Sequence, residues 1–169
     1  VFEYVKGDWS LVRPSGVREE KERSIEGSRR ASIVKGIRSP LNRLLFRVEK
    51  NYVWQGWGFA MTNKVEGVGD VTRTTSWTYY TSGPARGQIR SRLEQSGLRT
   101  EYMYDDDGRK LTVTRSGPDM LTETVTYSYA SVDPSDAVPP VDTRPRTVVR
   151  TLDGVECERT YYVYSPLTN

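Results

Sequence analysis

The sequence predicts an all-β protein, a mainly antiparallel sheet built of about six repeated β-hairpin modules, and three observations predict it. First, the aromatic pairs Phe2/Tyr4, Tyr52/Trp54, Trp77/Tyr79, Tyr102/Tyr104 and Tyr127/Tyr129 share one internal spacing, and from Tyr52 to Trp77 to Tyr102 to Tyr127 each step is 25 residues. A fixed period of this size marks a repeat architecture, so the unit to explain is one short module. Second, the pairs lie in stretches where side chains alternate with period two, as a half-buried strand requires. Third, these stretches are punctuated by Ser96-Gly97, Ser116-Gly117 and Asp153-Gly154. Glycine after Ser or Asp accepts the positive φ of a tight hairpin turn at little steric cost. The composition agrees: 36% hydrophobic, 11% aromatic and a mean hydropathy of -0.66 suit thin, half-exposed pleated layers better than a deep aliphatic interior.

Taken in chain order, Phe2/Tyr4 opens the series two periods before Tyr52. Residues 17–37 lack the pair expected near positions 27 and 29. Their charged segment Val17–Ile25 has too sparse an apolar spacing for an amphipathic helix and reads as a degenerate strand pair. Leu44–Trp54 follows as a strand, with Leu44, Phe46, Val48, Tyr52 and Trp54 on one face, and Val71–Tyr79 repeats the scheme with Trp77 and Tyr79 together. Strands are expected at Gln88–Gln95 after Gly87, at Leu98–Tyr104, at Arg109–Arg115 after Gly108, at Thr122–Tyr129 and at Arg144–Leu152. Each module is then strand, turn, strand, turn, which about 25 residues accommodate. Ala130–Val141, rich in Pro and Asp, reads as a loop that lengthens the step to Tyr162/Tyr164 to 35 residues. The expected organisation is one β-sheet region over 1–169, with degenerate repeats in 1–43, clear repeats in 44–169 and an insertion at 130–141.

Charge is distributed unevenly. Residues 1–50 carry 12 Lys+Arg against 7 Asp+Glu, and residues 101–169 carry 7 against 12, so the chain runs from +5 at its front to -5 at its back. This favours head-to-tail contact as readily as nucleic-acid binding. The basic stretch Arg29, Arg30, Lys35, Arg38, Arg43 lacks the interleaved aromatics of single-strand binders, and no nucleic-acid partner is expected. Arginine outnumbers lysine 19 to 6. Guanidinium groups stack on aromatic faces, so interleaved Arg and Tyr can cover a sheet face without any ligand.

With one cysteine, Cys157, and no histidine, the chain holds no disulfide framework and no thiol or imidazole zinc site. Ser-His and Cys-His relays are excluded as well, and no phosphate-cradling glycine loop or selected carboxylate pair stands out, so no catalytic residues and no cofactor are expected. Cys157, on an alternating strand, is expected to be a small packing residue. No apolar run approaches the roughly 20 residues that span a bilayer, so no membrane span is expected. The chain begins at Val1 within a strand-like phrase, and the expectation is a piece of a longer polypeptide.

The best-formed module is Gly97-Leu-Arg-Thr-Glu-Tyr-Met-Tyr-Asp-Asp-Asp-Gly-Arg109 followed by Lys110–Gly117. It resembles the Rhs/YD-repeat family, whose signature is a strand ending Tyr-x-Tyr-Asp, two residues, Gly-Arg and a further strand; Tyr102, Tyr104, Asp105, Gly108 and Arg109 match it position for position. The resemblance is clear over 44–169 and weak over 1–43, and most modules lack the Asp-x-x-Gly-Arg portion. Independently of the family, Asp105 can accept hydrogen bonds from amides two or three residues on, Gly108 supplies the permissive dihedral, and Arg109 can reach Asp105 or lie over a Tyr ring. The cluster Asp105-Asp106-Asp107 does not have EF-hand offsets, since Met103 and Thr114 stand where carboxylates are required, and no metal site is expected.

In that family such repeats spiral into a hollow shell, which in toxin complexes encloses a C-terminal effector. The resemblance therefore implies a non-catalytic structural segment of a secreted or cell-surface protein, an open piece of a YD-repeat β-shell. Its partner would be the remainder of its own polypeptide. Unpaired strand edges of such a piece invite self-association. The alternative is a carbohydrate-binding cell-surface module. There Trp54, Trp57 and Trp77, near Gly56 and Gly58, offer flat ring faces to sugar C–H surfaces.

Overall fold

A computed structural model describes residues 2–5, 8–27, 29–69, 71–129 and 144–164. The described residues are all β-strand and turn, with no helix. In chain order the strands are β1 (Phe2–Val5), β2 (Asp8–Val12), β3 (Arg18–Glu26), β4 (Arg30–Arg38), β5 (Leu44–Trp54), β6 (Phe59–Val68), β7 (Val71–Tyr79), β8 (Ile89–Glu94), β9 (Arg99–Tyr104), β10 (Lys110–Gly117), β11 (Met120–Ser128), β12 (Thr147–Leu152) and β13 (Val155–Tyr161). They fall into two compact units, Val1–Thr78 with Leu93–Gln95, and Tyr79–Arg92 with Ser96–Asn169. The expected loop at 130–141 lies outside the described residues.

In the first unit β1 to β7 form an open antiparallel meander in which each strand pairs with the next. The charged segment expected to be a degenerate strand pair is β3 and β4, paired in register along their full length from Arg18↔Arg38 to Glu26↔Arg30. Alternation then divides the side chains between two faces. One face carries Lys21, Arg23 and Ile25 opposite Lys35, Ile33 and Ala31, with Val48, Lys50 and Tyr52 next on β5. The other carries acids and bases that neutralise one another, as in Arg38–Glu20 at 2.9 Å and Arg47–Glu49 at 2.8 Å. Two bulges interrupt the order: Leu45 is the extra residue between Leu44 and Phe46 where β5 meets β4, and Thr62 is the extra residue of β6 opposite β5. The bulge at Leu45 breaks the strict alternation expected to align Leu44 with Phe46.

In the second unit β9 to β13 form an equivalent antiparallel meander. The Tyr80 amide bonds the Gln88 carbonyl, and the Gly87 amide bonds the Tyr80 carbonyl. The β12–β13 turn is the two-residue type that Asp153-Gly154 requires, with φ of 46° and 81° and Leu152 paired to Val155. Ser116-Gly117 departs from expectation. Gly117 is a strand residue paired with Met120, and the turn is Pro118-Asp119, because proline pre-sets the first turn position and leaves glycine no left-handed role. Cys157 also departs: it is exposed and is the extra residue of a bulge in β13, so the alternation that would have turned it inward is interrupted there.

The layers are thin. Among the described residues the buried side chains are Ala60, Ala85, Val113, Thr75 and Thr100, and no large side chain is fully buried. Cohesion in each unit rests on ladders, turns and cross-strand pairs more than on a closed core.

Candidate functional site

The loop after β9 is a five-residue closure built on Asp105. Its amide bonds the Arg109 carbonyl at 2.9 Å and the Gly108 amide bonds its carbonyl at 2.9 Å, while Gly108 takes a φ of 74°. The carboxylate adds to this backbone frame. Oδ1 accepts from the Arg109 amide at 2.8 Å and the Asp107 amide at 3.1 Å, and Oδ2 accepts from Arg109 Nε at 2.8 Å. Arg109 also meets Asp107 at 2.9 Å, and its guanidinium lies 4.4 Å from the centre of the Tyr129 ring. The Arg109 and Asp105 side chains are only 14% and 19% exposed, so the pair is shielded from water more than a surface ion pair is. Burial pushes the Asp105 carboxyl up, but the Arg109 amide and guanidinium outweigh it and hold it below its ordinary value. A side chain at Gly108 would meet the Pro84 carbonyl oxygen at 3.0 Å, in a backbone conformation that L residues rarely adopt.

The same loop backbone occurs twice in the first unit, between β2 and β3 and between β4 and β5. The Arg13 amide donates the outer bond to the Val17 carbonyl, with Gly16 at φ 80° closing on the Arg13 carbonyl; the Ser39 amide donates likewise to the Arg43 carbonyl, with Asn42 at φ 62°. Ser39 Oγ accepts from the Arg43 amide at 3.1 Å, as the Asp105 carboxylate does from Arg109. Sequence reasoning passed over both loops. Their signal is Pro14-Ser-Gly16 and Pro40-Leu-Asn42, proline at the first loop position and a residue tolerant of positive φ at the third.

The tyrosine pairs of the second unit have a defined task. The second ring of each pair sends its hydroxyl to a carbonyl at the start of the preceding even-numbered strand or just before it. Tyr104 donates to Ile89 at 3.1 Å, Tyr129 to Lys110 at 2.7 Å and Tyr164 to Pro145 at 3.0 Å. An arginine preceding that carbonyl covers the ring in two of the three, Arg109 over Tyr129 and Arg144 over Tyr164, each at 4.4 Å. Tyr80 donates to the Tyr102 carbonyl at 2.8 Å and stands edge-on to Tyr104 at 5.6 Å. Tyr102 itself has Lys110 Nζ 5.9 Å from its ring. Burial raises the Tyr104 phenol above its ordinary value, and Tyr102 and Tyr80 add to the effect; burial also raises that of Tyr129. All five signature residues, Tyr102, Tyr104, Asp105, Gly108 and Arg109, thus lie in or beside one hairpin.

The tryptophans are placed differently. Trp54 ends β5, is 44% exposed and packs edge-on against Phe59 at 5.4 Å. Trp57 is half-buried in the turn that Gln55 and Gly58 close, and Trp77 is half-buried on β7. An apolar depression of about 240 Å³ is lined by Arg23, Ile25, Ala31, Ile33, Tyr52 and Phe59, and none of the three tryptophans lines it. Among the described residues no cluster of acids, Cys or His is arranged to hold a metal ion.

No family model matches the chain, and none of the curated proteins matches it. Among solved structures it is similar to a porin-like protein from Bacteroides uniformis, with a TM-score of 0.39 and 19% identity over 93% of this chain and 54% of that chain. The chain thus spans about half of that protein's length, and a likeness at this TM-score bears on neither fold nor function.

Proposed function

We propose that the chain is a non-catalytic structural segment of an Rhs/YD-repeat protein, part of a secreted or cell-surface β-shell of repeated hairpins whose partner is the rest of its own polypeptide. One observation carries the reading. The signature side chains are spent on the hairpins themselves, with the second tyrosine of each pair tied to the start of a neighbouring strand and Arg109 held between Asp105 and Tyr129. Groups committed in this way fix a backbone and leave little for turning over a substrate. The test is protease protection in the parent polypeptide: a segment downstream of the repeats should resist digestion until the repeats are unfolded. Equal digestion with the repeats folded would sink the shell.

A second reading, a carbohydrate-binding module, draws on the exposed Trp54–Phe59 pair beside the glycine-bearing turn of Gly56 and Gly58. Screening the protein on a glycan array beside Trp54→Ala, Trp57→Ala and Trp77→Ala variants tests it. Absence of any binding by the unaltered chain removes it.

A further inference from the structure

Four of the six lysines, Lys21, Lys35, Lys50 and Lys64, recur at steps of 14, 15 and 14 residues in a chain where arginine supplies most of the positive charge. The meander turns this spacing into a row. Lys21 stands directly opposite Lys35, Lys50 directly opposite Lys64, and Lys35 pairs with Val48, one same-face position from Lys50. Directly opposed strand residues have Cβ atoms about 4.5–5.5 Å apart, and like charges there are destabilising. Lys64 is neutralised by Glu66, which also holds Arg73. Among the described residues, Lys21, Lys35 and Lys50 have no acidic partner. Glu19, on the same face, is taken by Arg13.

These three lysines line one depression of about 150 Å³, whose other walls are Ile33, Val48 and Tyr52. We propose that this depression binds a phosphate or sulfate group carried as an ester by a small soluble ligand. The ammonium groups hold the oxyanion, and its organic part lies on Ile33, Val48 and the Tyr52 ring. Lysine presents a point charge with three rotatable donors, and three of them converging can share the oxygens of a tetrahedral oxyanion. The backbone groups of β4 and β5 are paired on both sides, so an acidic peptide cannot enter by strand addition. Trp54 turns its ring edge-on to Phe59, which does not make a platform for successive nucleic-acid bases. An anion that removes the repulsion also stabilises the folded chain by mass action.

The experiment is calorimetric titration at fixed ionic strength with phenyl phosphate, inorganic phosphate, acetate and vesicles containing phosphatidic acid. Phenyl phosphate should bind saturably at one site, at least threefold more tightly than inorganic phosphate and at least tenfold more tightly than acetate. Lys35→Gln and Lys50→Gln should each weaken it at least fivefold, while Arg99→Gln, which removes the same charge elsewhere, should leave it unchanged. Thermal unfolding guards against misfolded variants. Lys35→Gln should melt no lower than the unaltered chain, because it relieves an opposed pair, and should lose the upward shift that phenyl phosphate gives. Non-saturable heats, equal binding of acetate, equal weakening by Arg99→Gln, or binding to vesicles without binding of the soluble ester would each overturn the proposal.

Discussion

Asp105 holds its loop through three acceptor contacts, to the Asp107 and Arg109 amides and to Arg109 Nε, and it is shielded while doing so. Hydrogen bonds to a charged group contribute about 1.5–3 kcal/mol, so Asp105→Ala should lower unfolding stability by about that amount. Asp105→Asn keeps an acceptor for the amides and loses the ion pair, and should fall between; urea unfolding at neutral pH measures both. The acids also set the response to pH. Glu66 is lowered from 4.5 to about 2, first by its bond to Lys64 and then by that to Arg73, and Asp105, Glu123 and Glu156 are lowered too. A group whose folded pKa is depressed stabilises above its unfolded pKa and loses that contribution as pH falls through the folded one. The urea midpoint should therefore be flat above about pH 5 and drop between about pH 4.5 and 2, less steeply at high salt because Arg73, which holds Glu66, is 67% exposed. A midpoint that rises in acid would contradict these pairings. At this scale the sequence was half legible. Asp105, Gly108 and Arg109 declare a turn because each has one obvious use there. The lysine row was hidden, since its meaning depends on a strand register that spacing alone does not supply.

Strands were easier to read than the loops between them. Leu44–Trp54 and Val71–Tyr79 could be bounded to the residue because an aromatic pair closes each and a two-residue period precedes it, interrupted in β5 only at Leu45. Arg18–Glu26 and Arg30–Arg38 were harder, because with charges on both faces the apolar period almost vanishes. Loops 13–17 and 39–43 are less legible because their turn signal is Pro-x-Gly or Pro-x-Asn and not a Ser-Gly or Asp-Gly pair. The aromatic period has an element-level cause: a ring at the end of β9, or just past β11 and β13, reaches a carbonyl near the start of β8, β10 or β12. Removing one hydroxyl should cost about 0.5–1.5 kcal/mol. Tyr129→Phe keeps the ring under Arg109, so its effect should be local. Hydrogen exchange should quicken at the first amides of β10, with those of β12 unchanged. A uniform rise over the second unit would mean that the hydroxyl supports the whole sheet and not one strand start.

For the chain as a whole, thin layers leave large apolar side chains in water in both units, among them Ile25, Leu45 and Val71 in the first and Leu121, Val155 and Tyr161 in the second. Such surface and unpaired edges favour self-association. Two electrostatic effects compete over it. The front of the chain is +5 and the back -5, which would draw copies head to tail. The whole chain carries a net charge of +3, however, so copies also repel one another at longer range. At the front Lys21, Lys35 and Lys50 remain uncompensated around their depression. Repulsion between copies should then outweigh attraction, with apolar contact opposing it. Salt shortens the screening length from about 10 Å at 0.1 M to about 3 Å at 1 M. Light scattering should therefore show the mean mass of the isolated chain rising with salt, and Lys35→Gln combined with Lys50→Gln should give the same rise at low salt. A mass that falls as salt is added would mean that head-to-tail attraction governs, and a strict monomer at high concentration under all conditions would count against self-association itself.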